Sequence, residues 1–194
     1  METIPIAILG ATGMVGQRMI ERLVHHPQFH IEYLGASPRS AGKSYHNACV
    51  WRLGSPCPTQ IQNMIVGNCD VETVPSTCRL VFSALDSSVA GDIEEAHAKH
   101  GRFVVSNASN HRMRDDVPLI IPEVNPQALT WLDNQPTTGG IVTNPNCCAI
   151  PLALSLAPLQ ELGAIQSCVV STWQAVSGAG YPGESAWDMV GTVH

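Results

Sequence analysis

Three glycines set between an apolar run and an amphipathic run constrain this chain more than any other feature. Residues Thr3 to Gly10 are apolar and few enough to form a buried strand. From Met14 to His26 the apolar positions Val15, Met19, Ile20, Leu23 and Val24 recur at helical spacing, and Pro27 closes the run. Between them lies Gly10-Ala-Thr12-Gly13-Met14-Val15-Gly16, a G-x-x-G-x-x-G pattern. Gly10 allows a tight turn, Gly13 lets backbone approach a pyrophosphate, and Gly16 lets helix and strand pack closely. The start of the helix then offers free N–H groups to an anion. A structural turn could use the same glycines, but a strand before and a helix after are the context a dinucleotide loop requires.

The rest of the chain continues the alternation. His30 to Ser37, Arg79 to Leu85 and Arg102 to Asn107 read as strands, and Ser87 to His100 reads as a helix capped by Gly101. Residues 38–58 are rich in Ser, Gly and Pro and predict loop with short structure. After the turn-rich Gln135 to Gly140 come a strand (Gly140 to Thr143), a helix (Cys148 to Leu162) and a long strand (Ala164 to Ala175). Strands alternating with helices predict an α/β fold with a mostly parallel sheet. We expect a Rossmann-like NADP-binding domain over residues 1–142 and the opening of an α/β catalytic domain over 143–194. The last residues stop inside a helical pattern, which suggests a piece of a longer protein.

Composition removes several function classes. A net charge of −6 without a basic run argues against nucleic acid as a main partner. The apolar stretch Ala149 to Ala157 is too short to span a bilayer, and the N-terminus lacks the pattern of a secretory signal, so a cytoplasmic location is expected. Seven cysteines without such a signal point to free thiols. His25, His26, His97 and His100 have ligand-like spacing, but no cysteine or carboxylate pattern completes a metal site. Surface histidines on amphipathic helices are the expected reading.

Two further segments carry chemistry. The second strand ends in Ala36-Ser37-Pro38-Arg39-Ser40, where an enzyme using NAD commonly places an acidic residue for the ribose hydroxyls. Hydroxyls and an arginine suit a 2′-phosphate instead, so NADP is favoured, although Arg39 could also be a solvated loop charge. In Thr143-Asn144-Pro145-Asn146-Cys147-Cys148, Cys147 stands at the start of an apolar helix. The helix dipole there favours a thiolate, which attacks an aldehyde carbon. Residue type alone favours a buried structural cysteine.

Five ordered motifs now suggest a family. Gly10-Ala-Thr-Gly-Met-Val-Gly-Gln17, Ser106-Asn-Ala-Ser-Asn-His-Arg-Met113, Ile121-Pro-Glu-Val-Asn-Pro126, Asn144-Pro-Asn-Cys147 and Gln174-Ala-Val-Ser-Gly-Ala-Gly-Tyr-Pro-Gly183 cover nearly the whole chain. Together they resemble the aspartate-semialdehyde dehydrogenases, in the flavour of the archaeal and fungal branch. The resemblance implies NADP- and phosphate-dependent interconversion of L-aspartate 4-semialdehyde and 4-phospho-L-aspartate through a cysteine thioester. That reaction feeds lysine, threonine and methionine synthesis, and a homo-oligomer is implied.

By the resemblance, Cys147 is the nucleophile, Gln174 orients the substrate, and Arg112 holds the phosphate with help from Asn107. Cofactor contacts are expected from Gly10, Thr12, Gly13, Met14, Val15, Ser37, Arg39, Ser40, Ser83, Gly178 and Gly180. Each role has a plainer alternative: Arg112 could pair with Asp115 or Asp116, and Gln174 could bond backbone. Cys148 departs from the small residue usual after the nucleophile and could make the site redox-sensitive. The family's general-base histidine and carboxylate-binding arginine have no counterpart in these residues. Other readings are a related acyl reductase, such as malonyl-CoA reductase or N-acetyl-glutamyl-phosphate reductase, or a non-catalytic NADP-binding module.

Overall fold

In the computed structural model, residues 3–173 are described. Five parallel strands form one sheet: β1 (Ile4–Leu9), β2 (Phe29–Gly35), β3 (Leu80–Ser83), β4 (Phe103–Ser106) and β5 (Gly140–Thr143). Their order across the sheet is β2-β1-β3-β4-β5. Isolated parallel bridges extend the sheet at both edges, Gly35 to Gly67 beyond β2 and Leu119 to Thr143 beyond β5. The helices are α1 (Met14–Leu23), α2 (Tyr45–Ala48), α3 (Thr59–Gln62), α4 (Ser87–Lys99) and α5 (Ala149–Leu156).

Side-chain alternation along β1 explains the two cores. Ala7 and Leu9 point to one face and pack with Val81, Val104 and Ile141. Ile8 points to the other, with Ile20 of α1, Leu34, Tyr45 of α2 and Ile61 of α3. All of these are nearly or wholly buried, each worth roughly 1.5–3 kcal/mol for the larger side chains. Strand order reverses between β1 and β3, and in such sheets the crevice above the strand C-termini at that point is where ligands bind.

Most predicted elements are present, with shorter bounds. The helix expected to run to Leu162 leaves α geometry after Leu156, and residues Ala157–Glu161 form a 3-10 turn around Pro158. Proline lacks the N–H that an α-helix uses, which accounts for the change. The strand expected from Ala164 is not seen over residues 164–173. No described strand lies beside this segment to satisfy its backbone groups, and a strand needs such a partner. Among the described residues no helix is long and apolar enough to cross a membrane.

The histidines correct a second expectation. His97 is not on the surface; it is wholly buried on α4. Its Nε2 lies 2.9 Å from the carbonyl of Cys69, and its Nδ1 accepts from Arg102 Nη1 at 3.0 Å. Arg102 also donates to the carbonyls of Val71 and Val74, so the pair ties the 69–74 loop to the sheet. An arginine donor at Nδ1 fixes the neutral imidazole with its proton on Nε2. Among the described residues, no group of three or more His, Cys, Asp or Glu could hold a metal.

Burial holds the His97 pKa below its usual 6.5; the Cys69 carbonyl opposes this, the Arg102 and His100 charges reinforce it, and Asp70 opposes it. The unfolded chain therefore binds the proton first. The stability that His97 contributes is complete above about pH 6.5 and is lost as pH falls towards the lower folded value. Urea midpoints measured between pH 7.5 and pH 5 (an interval on the order of the window set by that reference value) should fall with acidity, and His97→Gln should flatten the slope.

Candidate dinucleotide cleft and cysteine loop

A cleft of about 550 Å³ opens above the C-terminal ends of β1, β2 and β3. Gly10 turns the chain there at φ 73°, and a side-chain carbon on it would lie 2.4 Å from the Ala84 carbonyl oxygen. On Gly16 the added carbon would fall 2.2 Å from the carbonyl oxygen of Gly10. Both positions therefore need glycine on steric grounds. Gly13 is the N-cap of α1 and has no side chain to satisfy the first-turn N–H groups, and no acidic residue stands in that turn. Free donors and the positive end of the dipole thus face the cleft.

Gly10, Thr12, Gly13, Met14, Val15 and Ser37 all line the cleft. Val15, which shares a helical face with Met19 and Ile20, is 42% exposed, while Gln17 is buried. Arg39 is exposed just past the cleft wall, and Ser40 is buried with its amide bonded to the Ser37 carbonyl. Ser83 is wholly buried at the end of β3, and its hydroxyl has no partner among the described residues. Gln174, Gly178 and Gly180 lie outside the described residues.

Sequence reasoning missed the opposite wall, formed by Asn68, Cys69 and Asp70 with Leu85, Asp86, Val89 and Ile93. Asp86 was legible as an N-cap: its carboxylate accepts from the Ser88 amide at 2.9 Å, and this contact with Ser88 holds its pKa below the usual value. The 68–70 loop carries no local signal. It reaches the cleft because the Gly35–Gly67 bridge and the Arg102–His97 pair hold it there.

Asn107, at the end of β4, also lines the cleft and joins it to a second cluster. Its side-chain oxygen accepts from Asn144 Nδ2 at 3.0 Å. Its carbonyl accepts from Arg112 Nη2 at 2.8 Å, while Arg112 Nε is buried and unpartnered. Arg112 pairs with neither nearby aspartate; Arg114 takes Asp116 at 2.7 Å and Glu95 at 2.9 Å. Asn144 leads through Pro145 into the cysteine loop. There Asn146 Oδ1 accepts from the Cys148 amide at 2.8 Å, and Cys148 is the N-cap of α5. Cys147, directly before that cap, is exposed, against the buried cysteine its residue type favoured. Contact with the Cys147 thiol pushes the Cys148 pKa up. Cys69 and Cys78 are buried, and burial pushes both thiols up, Cys78 to about 11.

A glycine cradle in an α/β cleft, joined by two asparagines to an exposed cysteine, can now be set beside known proteins. The sequence profile described as "Semialdehyde dehydrogenase, NAD binding domain" matches residues 5–132. The chain belongs to the semialdehyde dehydrogenase family. An aspartate-semialdehyde dehydrogenase of Cryptococcus neoformans is 44% identical over 98% of this chain and 54% of its own length. That of Methanothermobacter thermautotrophicus is 47% identical over 92% of this chain and 52% of its own. The crystal structure of the Candida albicans enzyme with NADP superposes with a TM-score of 0.76 at 40% identity, covering 83% of this chain and 48% of that one. This semialdehyde dehydrogenase chain thus spans about half the length of the curated relatives it matches.

Proposed function

We propose that this chain carries the cofactor cleft and the nucleophile of an NADP-dependent aspartate-semialdehyde dehydrogenase, acting in the cytoplasm on the aspartate branch of amino-acid biosynthesis. The observation that carries the reading is the Asn107–Asn144 hydrogen bond, which links the dinucleotide cleft to the loop of an exposed cysteine. Residues 1–142 form the cofactor half and residues 143–194 open the catalytic half. A homo-oligomer is the assembly we expect.

The residues present suit a dinucleotide phosphate. The uncapped first turn of α1 and the backbone of Gly10 to Gly13 would hold the pyrophosphate, with Thr12, Met14, Val15 and Ser83 nearby. Ser37, Arg39 and Ser40 would meet a 2′-phosphate, and Gly178 and Gly180 would lie near the nicotinamide. NADP, when bound, supplies the hydride acceptor. The chain's own part is covalent: the Cys147 sulfur bonds the aldehyde carbon, and that carbon becomes a thioester once its hydride is lost. Arg112, with Asn107, holds phosphate as its oxygen attacks the thioester carbon. The carbon–sulfur bond then breaks, releasing 4-phospho-L-aspartate and the thiolate. Gln174 orients the substrate. A planar guanidinium suits phosphate because it donates in parallel.

The test is NADPH formation from L-aspartate 4-semialdehyde and NADP, with and without phosphate. Phosphate-dependent formation is expected; none from folded protein would count against the reading. Arg39→Ala should weaken NADPH binding by about tenfold and leave NADH nearly unchanged, as expected for loss of one charge-assisted bond to phosphate. Fluorescence titration of both nucleotides checks this, and equal loss for both would reject the role.

A further inference from the structure

Beneath the phosphate-binding loop lies a charged group that the proposed chemistry leaves unused. Glu94 on α4 is wholly buried, and His111 is 3% exposed. Glu94 Oε1 accepts from the Ser106 hydroxyl at 2.9 Å, and that hydroxyl in turn accepts from the Ala108 amide at 3.1 Å. Glu94 Oε2 faces His111 Nε2 at 3.3 Å, and neither atom has a hydrogen-bond partner among the described residues. A carboxyl group removed from water needs a polar partner at hand, and His111 is the group placed beside it.

The placing of the two tie points is what matters. Ser106 directly precedes Asn107, and His111 directly precedes Arg112. One carboxylate therefore grips both ends of the loop that carries the two phosphate-side residues. Asn110 Nδ2 adds a bond to the Ser87 carbonyl at 2.9 Å, seated against Gly91 of the same helix. Among the described residues the Arg112 guanidinium bonds only to the Asn107 carbonyl, so its aim depends on how the loop is seated on α4.

We infer that the buried Glu94–His111 pair, with Ser106, positions the Asn107–Arg112 loop and sets how tightly Arg112 grips phosphate. Glu94 and His111 are positioning residues, and the inference rests on the phosphate reading of Arg112. An apolar pair of similar volume would hold the helix and loop together without fixing a direction. A carboxyl group bonded to Ser106 at one loop end and in contact with His111 at the other fixes one geometry, which an oxyanion site needs.

The experiment titrates inorganic phosphate into isotopically labelled chain and follows the Arg112 Nε–H resonance, with an NADPH titration as internal control. Glu94→Gln should weaken phosphate by about tenfold while leaving NADPH within about twofold, the scale typical of lost supporting contacts around a binding residue. His111→Gln is the second variant, should the first not fold. The double variant Glu94→Gln/His111→Gln places two amides that can hydrogen-bond at the same contact and should recover phosphate binding, which a general loss of stability would not do. Unaltered phosphate affinity in both single variants would overturn the inference alone. Absence of phosphate binding in the unsubstituted chain would overturn it together with the phosphate reading of Arg112.

Discussion

Gly10→Ala should cost about 3 kcal/mol of stability and abolish dinucleotide binding. Two terms add. A side chain at φ 73° carries roughly 1–2 kcal/mol of backbone strain. The added carbon would also meet the Ala84 carbonyl oxygen at 2.4 Å, and overpacking of this kind costs about 1–3 kcal/mol. The displaced atoms are backbone at the end of β3, so no side chain can swing away. Gly42→Ala is the matched control, since Gly42 has φ 80° and no atom within 4 Å. It carries the strain without the clash and should cost about 1 kcal/mol. Urea denaturation of both variants separates the terms, and equal losses would remove the steric account of the cradle.

Cys147→Ala should eliminate phosphate-dependent NADPH formation, by at least about four orders of magnitude, because the thioester proposed here forms on its sulfur. NADPH affinity should be unchanged, since Cys147 does not line the cleft. Cys148→Ser is the comparison: Cys148 is the N-cap of α5, and serine is a preferred cap. It should retain most turnover. Loss in Cys148→Ser with retention in Cys147→Ala would exchange the roles of the two thiols.

Local chemistry made the glycine cradle, the parallel sheet and the cysteine loop legible before any coordinates. Gly10, Gly13 and Gly16 act within one strand–turn–helix unit, and the period of the apolar positions marks that unit in the chain. The Asn68–Asp70 wall was not legible, because it depends on contacts to Tyr33, Gly35, Ala36, His97 and Arg102, up to 35 residues away in the bonded pair Tyr33–Asn68. His97 misled for a related reason. On α4 it sits at a position where a polar residue normally marks a wet face, yet it is wholly buried against the Cys69 carbonyl from a distant loop. The strand expected after Ala164 failed because periodicity records the potential for pairing and is silent on whether a neighbour is there.

The central claim, that the cleft over Gly10 to Gly16 is an NADP site, is tested most directly by titrating the chain with NADPH and with NADH while following tryptophan fluorescence. Saturable binding is predicted, with NADPH tighter than NADH by about tenfold or more through the contacts of its 2′-phosphate. Folded chain that binds neither nucleotide, or binds both equally, would contradict it.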